Sequence, residues 1–411
     1  MADTHNRNLN DPVYGFIRID DPLISAVLSH PYMQRLRRIT QVGLTSLVYP
    51  GAVHNRFLHS VGAMHLMGRA IATLREKGFE ISPQEATAAK IAILLHDVGH
   101  APFSHTLEKE LSGGVSHEEV SLAVMELLRD QWQDPTLDTA VRIFRGDYPK
   151  RYLHSLISSQ LDMDRLDYLR RDSFFTGASE GIVSHERIIA MMDVEDGEIV
   201  FDEKGLYSVE KFVIARRMMY WQVYLHKTVL AADVLVEGIV QRAKELLSQG
   251  VELPVHEPLR SLLQQDTPRR EVDRDFLERY MAVDESDLWC VFKQWMGSRD
   301  FILSFLCDAV VHRHLFSAAL ADVPPDEPET RRIARAIREK YGLPEELLHY
   351  LFTVRRIDNH VYRPKEDNIR IKLRDGRVRN ITEVSQQINF TTDRTETKYL
   401  IVYPKEFRSG R

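Results

Sequence analysis

The sequence predicts a mainly α-helical protein, a helical bundle with a smaller C-terminal α+β region. Three observations lead there. Apolar and small residues recur at helical positions through the first 250 residues, as at Leu58, Val61, Ala63, Leu66 and Ala70. Helix-start signals accompany them: Ser82-Pro83-Gln84-Glu85 is a capping box with proline in the first turn, and Ser116-His117-Glu118-Glu119 joins a capping hydroxyl to early acids. Strand chemistry appears mainly after residue 367. The predicted division is a core over residues 1–250 and a C-terminal region over 251–411 packed on it.

Bulk properties bound the function. The chain has 411 residues, 44% hydrophobic and 28% charged, enough for a large core. Net charge is -6 with a pI near 6.3, so a general nucleic-acid binder is not indicated. Cys290 and Cys307 have no metal spacing and suit a reducing compartment. The polar start, Met1 to Asn10, has no apolar signal core, and no stretch approaches the roughly 18 apolar residues of a membrane span. The expectation is a soluble cytoplasmic protein.

In order, residues 1–19 read as extended or hairpin-like, with turn chemistry at Asn10-Asp11-Pro12 and Tyr14-Gly15. Pro31 opens a basic helix carrying Gln34, Arg35, Arg37 and Arg38, and Gln41-Val42-Gly43 breaks it. Helices follow over 55–78, 82–98, 103–111, 116–129 and 154–171. A small hairpin is expected over 195–208, then a long, possibly broken helix to about Leu247 bearing Arg216, Tyr224 and His226. Residues 251–345 read as short amphipathic helices with a turn at Pro268, and 367–403 as strands.

The chemistry centres on Ile91-Ala92-Ile93-Leu94-Leu95-His96-Asp97-Val98-Gly99-His100-Ala101-Pro102-Phe103-Ser104-His105. A buried helix runs into His96-Asp97, with Gly99 as the expected stop and Pro102 as the expected start of the next helix. Burying both polar groups unpartnered would cost several kcal/mol. A divalent cation would satisfy both. Alone, a His-Asp pair is an ordinary capping pair. Two other helical segments, with His59 upstream and Asp164 downstream, can bring further ligands to the same point.

The ordered set His59, His96-Asp97, Asp164 resembles the H…HD…D signature of the HD superfamily of metal-dependent phosphohydrolases. The words Asn10-Asp11-Pro12, Gln34-Arg35-Leu36-Arg37, His54-Asn55-Arg56-Phe57 and Asp162-Met163-Asp164-Arg165-Leu166-Asp167-Tyr168 are similar to its deoxynucleoside triphosphate (dNTP) triphosphohydrolase branch, over roughly residues 8–230. The resemblance implies one divalent ion, Mn, Fe, Zn, Ni or Mg, held by His59, His96, Asp97 and Asp164. It implies hydrolysis of a dNTP to deoxynucleoside and triphosphate by water attack at the α-phosphorus.

By the same resemblance His105 is the catalytic imidazole, donating in line to the leaving 5′-oxygen or assisting the nucleophile, with His117 and Glu108 orienting it and His100 also in the catalytic group; the branch usually has Asp where this chain has Glu108. Arg56, Arg165, Arg216, Tyr168 and His100 would face phosphates, Gln41 and Asp172 the sugar 3′-hydroxyl, and Tyr224 the sugar C2′. Arg7, Asn10, Gln34, Arg37 and His226 would meet a regulatory nucleotide between subunits of a homo-oligomer, a dimer or tetramer. Ser29 replaces the acid that reads guanine at that regulatory site in a mammalian member. Two other functions share the metal logic or the nucleotide site: a phosphatase or phosphodiesterase on another nucleotide, and a nucleotide-sensing module with weak catalysis.

Overall fold

The computed structural model describes residues 7–265, 269, 271–360, 369–388 and 395–408; Pro268 and residues 1–6 lie outside them. The chain opens with an antiparallel hairpin, β1 (Arg7–Asp11) and β2 (Gly15–Ile19), as predicted. Asp11 accepts the amides of Val13 and Tyr14, and Gly15 supplies φ +75°. Two prolines start α1 (Pro22–Ser29) and α2 (Pro31–Arg35).

The bundle follows: α3 (Arg56–Glu76), α4 (Pro83–Leu95), α5 (His105–Ser112), α6 (His117–Trp132), α7 (Pro135–Arg145), α8 (Arg151–Ser155), α9 (Met163–Thr176) and α10 (His185–Ala190). α3 packs on α4 and α9, and α4 packs on α7. Because Ala88, Ala89 and Ile91 to Leu95 are all buried, α4 has no solvent stripe over its C-terminal half and lies inside the bundle. Its C-terminus therefore delivers His96 and Asp97 to the interior.

The later chain contains β3 (Met192–Glu195), β4 (Glu198–Asp202), α11 (Leu206–Met219), a π-helical turn at 220–224 and α12 (Lys227–Ser248). Helices α13 (Glu257–Leu263), α14 (Arg274–Met281), α15 (Glu285–Trp295) and α16 (Phe301–Val311) come next. Then come β5 (Ser317–Ala321), α17 (Glu327–Tyr341), β6 (Thr353–His360), β7 (Arg370–Lys372), β8 (Val378–Asn380), α18 (Ile381–Val384) and β9 (Thr395–Tyr403). The strands form sheets in the orders β3-β4-β7-β8 and β5-β9-β6. One buried apolar cluster runs from Ile17 to Val402, so the C-terminal region shares the bundle's core. No helix among the described residues is long and apolar enough to cross a membrane.

Several boundaries differ from the sequence reading. The helix expected over 82–98 ends at Leu95, with His96 as its C-cap. Gly99 does not act as a positive-φ stop. It permits close approach: a Cβ there would lie 2.2 Å from the His117 carbonyl oxygen and 2.6 Å from the Ser121 nitrogen. Pro102 does not start the next helix, which begins at His105 after Phe103 and Ser104 take φ of +57° and +56°. The helix expected over 154–171 is two helices, because the Asp162 carboxylate caps a new N-terminus by accepting the Arg165 amide at 2.7 Å. The long helix after Leu206 is broken, and the His226 ring caps its second half. β5 lies inside a region read as helical; Ser-Ala-Ala-Leu-Ala favours helix locally, and pairing with β9 overrides it.

Candidate metal centre and active site

Three elements converge at the end of α4. α3 contributes His59, the α4 terminus His96 and Asp97, and the first turn of α9 Asp164. His59 Nε2 lies 3.0 Å from Asp164 Oδ1 and 3.6 Å from Asp97 Oδ2. His96 Nε2 lies 3.4 Å from both Asp97 Oδ1 and Asp164 Oδ1. The structure thus brings together all four residues singled out as ligands.

Each imidazole is held from behind. His59 Nδ1 meets Asp167 Oδ2 at 2.7 Å, and His96 Nδ1 meets the Ile93 carbonyl at 2.6 Å. Those contacts orient both Nε2 atoms inward, the arrangement that metal-ligating histidines use. Both Nε2 atoms are buried, and their short carboxylate approaches lack hydrogen-bond geometry. Ligand atoms of His59, His96 and Asp164 lie within 4.8 Å of one another. Two orphaned imidazole nitrogens facing carboxylates fit a divalent cation of the Mn, Fe, Zn, Ni or Mg group. Burial disfavours charge on His59, yet Asp164 and Asp167 outweigh it and lift its pKa to about 10. Burial also opposes charge on Asp97, but His96 and Arg56 hold its carboxyl well below the usual range.

The support behind His59 was not anticipated from sequence. Arg171 Nε and Nη2 donate to Asp167 at 2.9 Å, and Nη1 donates to Asp11 at 2.8 Å. Gly62 makes room for this pair, since a Cβ there would lie 2.1 Å from both. The available signal was the spacing of Asp164, Asp167 and Arg171, which puts them on one face of α9.

Beside the cation site stand three histidines. Glu108 Oε2 meets His105 Nδ1 at 2.9 Å, and Oε1 meets His117 Nδ1 at 2.8 Å. Burial pushes the Glu108 pKa up, but the hydrogen bonds from both rings hold it far below the usual carboxylate range. One glutamate therefore fixes two imidazoles with their Nε2 atoms turned away from it. His100 stacks on His117 at 3.8 Å between centroids; burial and the nearby Arg56 charge depress its pKa. His105 is the open member, with 70% of its side chain exposed.

A cavity of about 440 Å³ joins these groups. Its lining includes Asp97, Asp164, His100, His105 and His117, together with Gln41, Arg56, Arg165, Tyr168, Asp172, Arg216 and Tyr224. Arg216 Nη1 donates to Gln160 Oε1 at 2.8 Å. Asp172 is doubly engaged: His54 Nε2 meets Oδ1 at 2.7 Å, and the Tyr224 hydroxyl donates to Oδ2 at 2.6 Å. Arg56 is tied down as well, donating to Asp97 Oδ2 and to Ser104 Oγ. Asp233 also lines the cavity and was missed, because one acid among the charges of a long helix carries no local signal.

The residues singled out for a regulatory nucleotide sit elsewhere. Arg7 Nη1 donates to Ser29 Oγ at 2.8 Å, and Arg37 Nε donates to Gln34 Oε1 at 2.8 Å. Asn10 lies in β1, whereas His226 caps α12 and meets the Tyr49 ring at 6.0 Å.

The fold and site define a class, the HD-domain phosphohydrolases. Residues 56–172 match the HD domain family, and residues 183–253 match the HD associated region. The fold is that of a phosphohydrolase from Bacteroides thetaiotaomicron: TM-score 0.93, 44% identity, covering 97% of this chain and 100% of that one. YwfO of Bacillus subtilis is 31% identical over 96% of this chain and 92% of its own length. The SAMHD1 homologue of Dictyostelium discoideum, named a deoxynucleoside triphosphate triphosphohydrolase, is 29% identical over 58% of this chain and 50% of its own length. The chain belongs to the HD-domain family, and these relationships support metal-dependent phosphohydrolase activity.

Proposed function

We propose that the protein hydrolyses dNTPs to deoxynucleoside and intact triphosphate by water attack at the α-phosphorus. One observation carries the reading. Asp97 and Asp164 of the ligand cluster line one cavity together with His105 and His117, the two rings that Glu108 holds, and its wall also carries Arg165 and Arg216. Permanently charged guanidiniums suit a polyphosphate. The SAMHD1-type relatives support that substrate class.

His59, His96, Asp97 and Asp164 would hold the cation. Bound there, it supplies positive charge to an α-phosphate oxygen and acidity to water. His105 Nε2 donates a proton to the 5′-oxygen as the P–O5′ bond breaks, while water's oxygen forms the new bond to phosphorus and its proton passes to solvent. Glu108 keeps His105 and His117 in their working orientation and stabilises the charged ring. Arg165, Arg216 and Tyr168 grip the phosphate chain. Gln41 and Asp172 meet the 3′-hydroxyl, and Tyr224, locked by Asp172, packs beneath the sugar.

The test is product analysis by anion-exchange chromatography with each dNTP and several divalent metals. Intact triphosphate is expected. Orthophosphate or pyrophosphate as the first product would instead establish a phosphatase or phosphodiesterase.

A further inference from the structure

The proposed phosphate and sugar contacts leave part of the cavity without a role. That remainder carries Val42, Thr45, Thr106, Val229 and Asp233. A carboxylate repels a polyphosphate across a low-dielectric cavity, so Asp233 marks an end where phosphate does not go. Two valines and two threonine methyl groups supply apolar surface for a planar ring. Asp233 is the charged group placed to meet that ring's edge.

The carboxylate is anchored but not used up. Thr106 Oγ1 donates to Asp233 Oδ1 at 2.9 Å, and Oδ2 has no partner among the described residues. A carboxylate offers about four lone-pair positions, so two further donors can be accepted side by side. The other charged groups around it are Glu237 on its own helix, paired with Arg355 of β6, and His105 at the start of the helix bearing Thr106.

We propose that Asp233 reads the substrate base, and that its ionised carboxylate selects guanine. The identity of the ligand rests on the dNTPase reading. Guanine presents N1–H and N2–H as adjacent donors, matched to two carboxylate oxygens. Adenine and cytosine present one amino donor beside a ring-nitrogen lone pair, which a carboxylate repels. Thymine presents one N–H between two carbonyls. The expected order is dGTP, then dATP and dCTP, then dTTP. Burial raises the Asp233 pKa to about 7, against the Thr106 hydrogen bond. A neutral carboxyl can donate to a ring nitrogen, so preference for dGTP over dATP should grow as pH rises through about 7.

The test has a turnover arm and a binding arm. Triphosphate release from the four dNTPs is compared at pH 8 for wild type, Asp233→Asn and Asp233→Ser. Asp233→Asn should lower kcat/KM for dGTP on the order of tenfold to a hundredfold, with smaller losses for dATP and dCTP. The ranking is a ratio within one preparation, so a lower folded fraction cancels. The binding arm titrates deoxyguanosine and deoxyadenosine calorimetrically, without metal or turnover. Asp233-dependent binding of deoxyguanosine with no dNTP hydrolysis would sink the proposed function and leave this inference standing. Hydrolysis without guanine preference, a ranking unchanged in Asp233→Asn, or equal binding of both nucleosides would overturn the inference and leave the proposed function standing. Should both variants lose all turnover, the binding arm decides.

Discussion

Glu108 grips two imidazoles with one carboxylate, and its third contact, from the His117 amide at 2.7 Å, ties the group to the start of α6. Replacing it frees both rings while leaving the cation ligands untouched. Glu108→Ala should lower kcat on the order of a hundredfold, the scale of a disabled general acid, with little change in KM. Steady-state kinetics with the best dNTP checks this, and an unchanged kcat would remove Glu108 from the mechanism. A second residue reports on stability. Burial, then the charge of Arg170, lowers the His185 pKa to about 4, against about 6.5 in an unfolded chain. Between those values the unfolded state binds a proton that the folded state refuses. Stability should therefore rise as pH rises from about 4 to 6.5 and level off above. Urea midpoints across that range should rise less steeply in His185→Gln; identical slopes would contradict the assignment.

Elements explain why the loop from Asp97 to Ser104 holds its shape. Arg35, the last residue of α2 and fully buried, donates to the His100 carbonyl at 2.9 Å and to the Val283 carbonyl at 2.8 Å. The Tyr280 hydroxyl donates to the Gly99 carbonyl at 3.1 Å. Glu285, first residue of α15, accepts Thr40 N and Oγ1 at 2.8 and 2.7 Å and the Phe103 amide at 3.2 Å. The C-terminal half thus clasps the loop that carries Asp97 and leads into His105. Phe103 and Ser104 sit in the left-handed region, where non-glycine residues need surrounding support. Glu285→Ala orphans three donors. A loss of about 2 kcal/mol or more is expected in denaturant melts, with faster proteolysis at Phe103. Wild-type stability in that variant would show the clasp to be dispensable.

For the whole molecule, the cation and the fold are coupled. Four charged or polar ligands from α3, α4 and α9 face one point, and a bound ion adds favour to the folded state only. At a metal concentration 100 times its dissociation constant the gain is about 2.7 kcal/mol. Exhaustive chelation should lower Tm, and Mn should restore it, with the metal content followed by mass spectrometry. A Tm that ignores both treatments would mean that nothing binds there. The single core running from Ile17 to Val402 makes the same point for the C-terminal region: its buried side chains belong to the bundle rather than to a detachable unit.

The sequence by itself determined the helical class and the opening hairpin, because periodicity, caps and turn residues are local signals; the set His59, His96, Asp97 and Asp164 was legible through resemblance to a family signature, and its meeting at one point is tertiary. Glu108 between two histidines was also legible, through resemblance. Only the tertiary structure decided that Gly99 serves close packing rather than a helix stop, that Asp167 and Arg171 stand behind His59, and that Glu285 braces residues 40 and 103. It also decided that Asp233 enters the cavity and that Ser317–Ala321 is a strand. Each of these depends on a partner tens or hundreds of residues away, and no local pattern encodes the distance between them.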